Sequence, residues 1–234
     1  MKQIIENVYQ ITFAGFLNAF LIDNGSELIL IDTGLSSKSI KKISSELSTI
    51  GKSLKDVKHI LITHGHPDHV GGLIALQNQI TAKTYAHHQE APIIRGEQPM
   101  PAAKRSDLRG LSWLMSFVVK SAMNKPAQVD VEVNDGTELD DILPGLQVVG
   151  LIGHTYGHVG YWWEKHNILF AGDVMIRLPW GLRMPFAAVT PDWEMAKEAV
   201  HKVAAMNVDT LCLSHGSPII GKASEKINAF AGKV

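Results

Sequence analysis

One cysteine, Cys212, is all the chain has. It can form no intrachain disulfide, so stability does not depend on an oxidising compartment. A charge bias is missing too. The 22 Lys and Arg residues stand against 23 Asp and Glu, for a net charge of −1 and a pI of about 6.8. Nucleic-acid-binding domains normally show as basic, so no nucleic-acid partner is expected. Long apolar runs are absent as well. The longest, LSWLMSFVVKSAM at residues 111–123, is interrupted by Lys120 and is too short to span a bilayer. The opening MKQIIENVYQ has no apolar core of a signal peptide. These absences lead to the expectation of a soluble, cytoplasmic chain with no membrane span.

What is present is an ordinary globular balance. The 234 residues are 45% hydrophobic and 19% charged, which supports a sizeable core. Short β-branched or apolar runs predict strands at 8–13 (VYQITF), 19–23 and 27–34, with Asn24-Gly25 as a hairpin signal. Ile40, Ile43 and Leu47 at helical spacing predict a helix over 36–51, stopped by Gly51. A strand at 58–63, a helix at 71–80 and a strand at 81–88 follow. The second half predicts strands at 129–133, 146–152, 160–163, 167–173 and 210–216. It also predicts a helix over 190–206, with Thr190 as cap and Pro191 in the first turn, and a last helix over 223–230. Strand clusters in each half, followed by helices, predict an α+β fold of two β-sheets packed face to face with helices outside. We expect a single domain over 1–234, with a loop and helix insertion at about 92–128.

The stretch THGHPDHVGG places His64, His66, Asp68 and His69 between a predicted strand and a predicted helix. Imidazole and carboxylate donors suit zinc, and also iron, manganese or nickel. Gly71 and Gly72 let the backbone come close at the helix start. Other polar residues also end apolar strands: His154 and His158 in GHTYGH, Asp173 in FAGD, His215 in LSHG, and Asp32 in ELILID. His158 and Asp32 are expected to support a ligand by a hydrogen bond rather than to bind metal. His59, His87, His88, His166 and His201 have no partner pattern and are taken as surface or core residues. Cys212 is read as core.

HGHPDH, GHTYGH, FAGD and SHG, in that order, resemble the metallo-β-lactamase superfamily of metal-dependent hydrolases, as do the opening hairpins NAFLIDNGSELILIDTG. The resemblance implies a four-layer αββα sandwich. It implies two metal ions, with His64, His66 and His154 on the first, Asp68, His69 and His215 on the second, and Asp173 bridging them. Zinc is the first expectation, with iron or manganese open. Asp173 stands where classical β-lactam hydrolases of the superfamily carry cysteine, which argues against antibiotic hydrolysis. His66 stands where flavodiiron relatives carry glutamate. The motif set is most similar to that of glyoxalase II. The helical region with which glyoxalase II binds glutathione is not matched in the 19 residues after His215.

Two metals about 3.5–4 Å apart can hold a bridging hydroxide at neutral pH. The resemblance therefore implies a hydrolase of a small ester, thioester or lactone, with Asp68 also handling a proton as the catalytic carboxylate. Phosphodiester hydrolysis of RNA, DNA or a nucleotide is one alternative. A mononuclear iron dioxygenase acting on a persulfide is another. Specificity is expected in loops. The segment 174–189 contains Trp180, Arg183 and Phe186, suited to an apolar small-molecule substrate, with Arg177 or Arg183 for an anionic group. The predicted helix at 107–124 suits a lid, the core or a homodimer interface.

Overall fold

The computed structural model describes residues 1–103 and 125–234, together with 108, 110 and 113. The predicted helix at 107–124 lies outside the described residues, apart from its half-exposed Trp113 and the neighbouring positions 108 and 110. The chain divides into two compact units, Met1–Pro99 with Asn124–Val133, and Met100–Met123 with Asn134–Val234.

The first unit is built on a seven-stranded sheet whose spatial order equals chain order. Strands β1 (Lys2–Ile5), β2 (Val8–Phe13), β3 (Leu17–Asp23) and β4 (Leu28–Ile31) pair antiparallel. From β4 onward the pairing is parallel, through β5 (Val57–Leu61), β6 (Lys83–His87) and β7 (Val131–Val133). The switch follows from connection length. The Asn24-Gly25 turn is short enough to reverse the chain. The Asn24 carboxamide oxygen accepts the Ser26 and Glu27 amides at 3.1 and 2.8 Å, and Gly25 takes φ +97°. Parallel neighbours need a crossover, and helices supply it.

Helix α1 (Ser37–Ser48) starts at the Ser36 cap and buries Ile40, Ile43 and Leu47, the three residues of its predicted apolar stripe. Burying each is worth about 1.5–3 kcal/mol. They pack with Leu30, Ile60 and Ile62 in the core of this unit. The predicted helix at 71–80 is shorter, α3 (Leu73–Gln77), and a separate turn, α2 (Pro67–Val70), precedes it across two glycines. A Cβ on Gly71 would lie 2.0 Å from the Leu35 carbonyl oxygen, and one on Gly72 would lie 2.5 Å from that of Thr33. The pair lets this backbone dock on the loop after β4. A short helix α4 (Ala91–Ile94) follows β6.

The second unit holds a four-stranded sheet of β8 (Leu146–Gly150), β9 (Val159–Trp163), β10 (Ile168–Phe170) and β13 (Thr210–Cys212), in the order β13–β10–β9–β8. Between β10 and β13 the chain makes a small hairpin, β11 (Ile176–Leu178) with β12 (Gly181–Arg183). Helices α5 (Trp193–Ala205) and α6 (Ala223–Ala231) bury Val200, Val203 and Ile227 with Leu211 and Leu213. The cap of α5 is Asp192, which accepts the Met195 amide at 3.0 Å, and not the expected Thr190. Pro191 correspondingly precedes the helix. The Thr190 hydroxyl is engaged elsewhere, with the Phe186 carbonyl and His154. Among the described residues, no helix is long and apolar enough to cross a membrane.

Candidate metal centre

In the first unit, β5 runs to Leu61 and delivers Thr63 and His64 beyond its end. His66 then caps α2 in extended conformation, and Pro67 occupies the first turn. This geometry folds the motif onto itself. His64 Nε2 lies 2.9 Å from His66 Nδ1, and the rings of His64 and His69 are 3.9 Å apart, centre to centre. Asp68 Oδ2 lies 3.8 Å from His69 Nε2. The three histidines are buried, whereas the Asp68 side chain keeps about a third of its surface exposed (32%).

Asp32 organises this cluster. It follows β4 directly with a left-handed backbone, φ +59°, which costs a side-chain-bearing residue about 1–2 kcal/mol. Its carboxylate accepts the Thr63 amide at 2.9 Å, the Thr63 hydroxyl at 2.8 Å and His69 Nδ1–H at 2.8 Å. Donation from Nδ1 fixes the tautomer of His69 and leaves Nε2 as its acceptor nitrogen. The next residue, Thr33, donates both its amide and its hydroxyl to the His69 carbonyl, at 2.7 and 2.8 Å. On the other side, the buried Glu90 carboxylate accepts the Gly65 amide at 2.7 Å.

The second unit gathers its own set. His154 Nε2 and His215 Nε2 lie 3.4 and 3.2 Å from the same oxygen of Asp173, Oδ2. His154 Nδ1 lies 3.1 Å from the Thr190 hydroxyl. His158 donates Nδ1–H to the Leu151 carbonyl and accepts the Asp173 amide at Nε2, both at 2.9 Å. Both of its nitrogens are thus used to position Asp173. Gly153 admits the close approach of α5: a Cβ there would lie 2.1 Å from the Ala196 nitrogen. Gly216 does the same beside His215, with φ +91° and a Cβ position 2.0 Å from the Arg177 carbonyl oxygen. Cys212 is fully buried in β13, and burial pushes its thiol pKa far up.

The donor chemistry fits a divalent metal. Within the first unit, His64 and His66 offer ligand atoms within 4.8 Å of each other, as do Asp68 and His69. Neutral imidazole and carboxylate bind first-row divalent ions. Tethering of the nitrogen that would not bind metal, as at His69 and His154, is what such ligands need for orientation. Glu90, Thr63, Thr33 and Thr190 are supporting residues that sequence reasoning missed. Their partners are far away in the chain, and no local spacing marks them.

Residues 13–215 match the family model of the metallo-beta-lactamase superfamily, a span that holds every residue of both sets. A probable metallo-hydrolase of Bacillus subtilis, YflN, is 27% identical over 88% of this chain and 82% of its own. A hydroxyacylglutathione hydrolase of Bdellovibrio bacteriovorus is 30% identical, over 54% of this chain and 38% of its own. Among solved structures, a metallo-beta-lactamase family protein from Thermus thermophilus superposes with a TM-score of 0.74. It covers 99% of this chain and 80% of its own at 21% identity. The α+β sandwich expected from the sequence is the fold of these proteins, and the chain belongs to the metallo-β-lactamase superfamily.

Proposed function

We propose that this superfamily hydrolase cleaves a small ester, thioester or lactone with two divalent ions, zinc first among them. His64, His66 and His154 would hold one ion, Asp68, His69 and His215 the other, and Asp173 both. When bound, such ions supply Lewis acidity and an activated water at neutral pH. The protein's own residues do the rest. Asp32 holds the His69 ring and its tautomer. His158 and the Asp173 amide fix the start of the shared carboxylate. Asp68 is open enough to solvent to take a proton at Oδ2 and pass it on.

The observation that carries this reading is the pair of pre-organised donor sets, each ligand nitrogen aimed by a bond to its opposite nitrogen where one is seen. The local similarity to a hydroxyacylglutathione hydrolase is in keeping with an acyl substrate, while an equally local similarity to an exodeoxyribonuclease of Streptococcus pneumoniae keeps the phosphodiester arm of the test necessary. Exposed Phe186, in the segment after Asp173, supports one with apolar character.

The test is a side-by-side turnover assay on zinc- and manganese-loaded protein with a chelator control. One arm offers aliphatic thioesters and lactones, the other an activated phosphodiester. Chelator-sensitive acyl hydrolysis is the expected result. Phosphodiester cleavage alone would overturn the acyl assignment.

A further inference from the structure

A groove of about 880 Å³ runs between the β11–β12 hairpin and α6, wholly within the second unit. It is apart from the metal donors, none of which lines it. Among the described residues, four cationic side chains line it, Arg177, Arg183, Lys226 and Lys233, and no carboxylate side chain does. This is a local excess in a chain whose net charge is −1. Among the described residues, Arg183, Lys226 and Lys233 enter no ion pair, although α6 does carry a Lys222–Glu225 pair one turn away. The groove also has an apolar side. Trp180 is 70% exposed at the tip of the hairpin, and Phe230 is half-buried opposite on α6.

Those features define a ligand chemistry. The exposed indole offers a ligand a broad apolar face with one polar handle. Unpaired cations around it favour an anion. The volume is that of a small-molecule site and exceeds what a single inorganic ion needs. Part of the wall is pre-set: Arg177 is clamped by the Ser217 and Pro218 carbonyls, and its amide donates to the His215 carbonyl at 3.0 Å.

We propose that this groove binds a soluble amphipathic anion, an acyl or aromatic body carrying one carboxylate or phosphate. The anionic group lies toward Arg183 and Lys226, and the apolar body covers Trp180 and Phe230. The concave shape favours a free molecule over a bilayer surface, which would call for a convex apolar face.

The test is isothermal titration of the full chain with decanoate below its micelle concentration. Decanol and anionic phosphatidylglycerol vesicles are the comparison arms. Saturable one-to-one binding of decanoate is expected, at least tenfold tighter than decanol and weakened by salt. The double variant Arg183→Gln, Lys226→Gln should weaken it about 2–30-fold, given about 0.2–1 kcal/mol for each exposed charge pair. Trp180→Ser should weaken it by a similar factor. All three residues are exposed, so unfolding midpoints should hold. Absence of saturable decanoate binding overturns the proposal. So does an affinity untouched by the variants, which would place the carboxylate on the metal donors. Binding of vesicles without free decanoate binding overturns it in favour of a membrane surface.

Discussion

The buried carboxylate of Glu90 accepts the backbone amide of Gly65 at 2.7 Å, between the first two histidines of the metal motif. A hydrogen bond to a charged group is worth about 1.5–3 kcal/mol. Here it also sets where His64 and His66 stand relative to each other. Glu90→Ala should therefore lower zinc affinity by about 10–100-fold, as loss of a supporting residue does. Glu90→Gln keeps an acceptor oxygen and should recover most of it. Competition with a chromophoric chelator measures both. Equal affinity in all three proteins would reduce Glu90 to a packing residue.

Asp32 acts on the side chain rather than the backbone. Its Oδ2 accepts the hydrogen bond from His69 Nδ1–H while its two oxygens hold Thr63. Asparagine keeps the size but brings an amide that cannot reproduce three acceptances at once. Asp32→Asn should cost about tenfold or more in zinc affinity, with a fold loss of about 1–3 kcal/mol. Chelator competition and thermal unfolding separate the two effects. Unchanged affinity with lowered stability would confine Asp32 to a structural role.

Particular residues show how much of this was legible in the sequence. Ile40, Ile43 and Leu47 carry a period of their own, so α1 was readable to within a few residues. β2 matches its prediction at both ends. The histidine motif was readable because four potential donors within six positions have few other uses. β1 was missed because Lys2 and Gln3 make it look like a solvated terminus; it is an edge strand registered on β2. The β11–β12 hairpin was missed because Pro179 and Gly181 read as loop. The cap of α5 went to Asp192 because Thr190 is occupied with His154, a partner 36 positions away. Local spacing reports local partners, and most supporting bonds of the site are long-range.

Gly25 and Gly153 call for glycine for different reasons, and the difference can be measured. Gly25 has φ +97° with nothing within 4 Å of where a Cβ would stand, so Gly25→Ala meets only backbone strain, about 1–2 kcal/mol. Gly153 combines φ +133° with the backbone of α5 2.1 Å away. Gly153→Ala should displace the helix or His154 and cost more than about 3 kcal/mol. Denaturant unfolding of the two variants compares them directly. Similar losses would show that α5 gives way easily.

Cys212 provides a prediction about alkaline stability. Burial raises its thiol pKa in the folded state well above the ordinary 9.0. The unfolded chain therefore releases this proton first as pH rises. Stability from this group is fully present below about pH 9 and declines above it, by at most about 1.4 kcal/mol per pH unit. Other groups titrate in the same range, so the comparison is with Cys212→Ala. The variant should be less stable at pH 7, from the small cavity. Its stability should fall less steeply between pH 9 and 11 than that of the parent chain. Urea unfolding at several pH values gives both slopes. Parallel slopes would mean that the thiol reaches solvent, in which case a disulfide-forming dye should label the native protein within minutes.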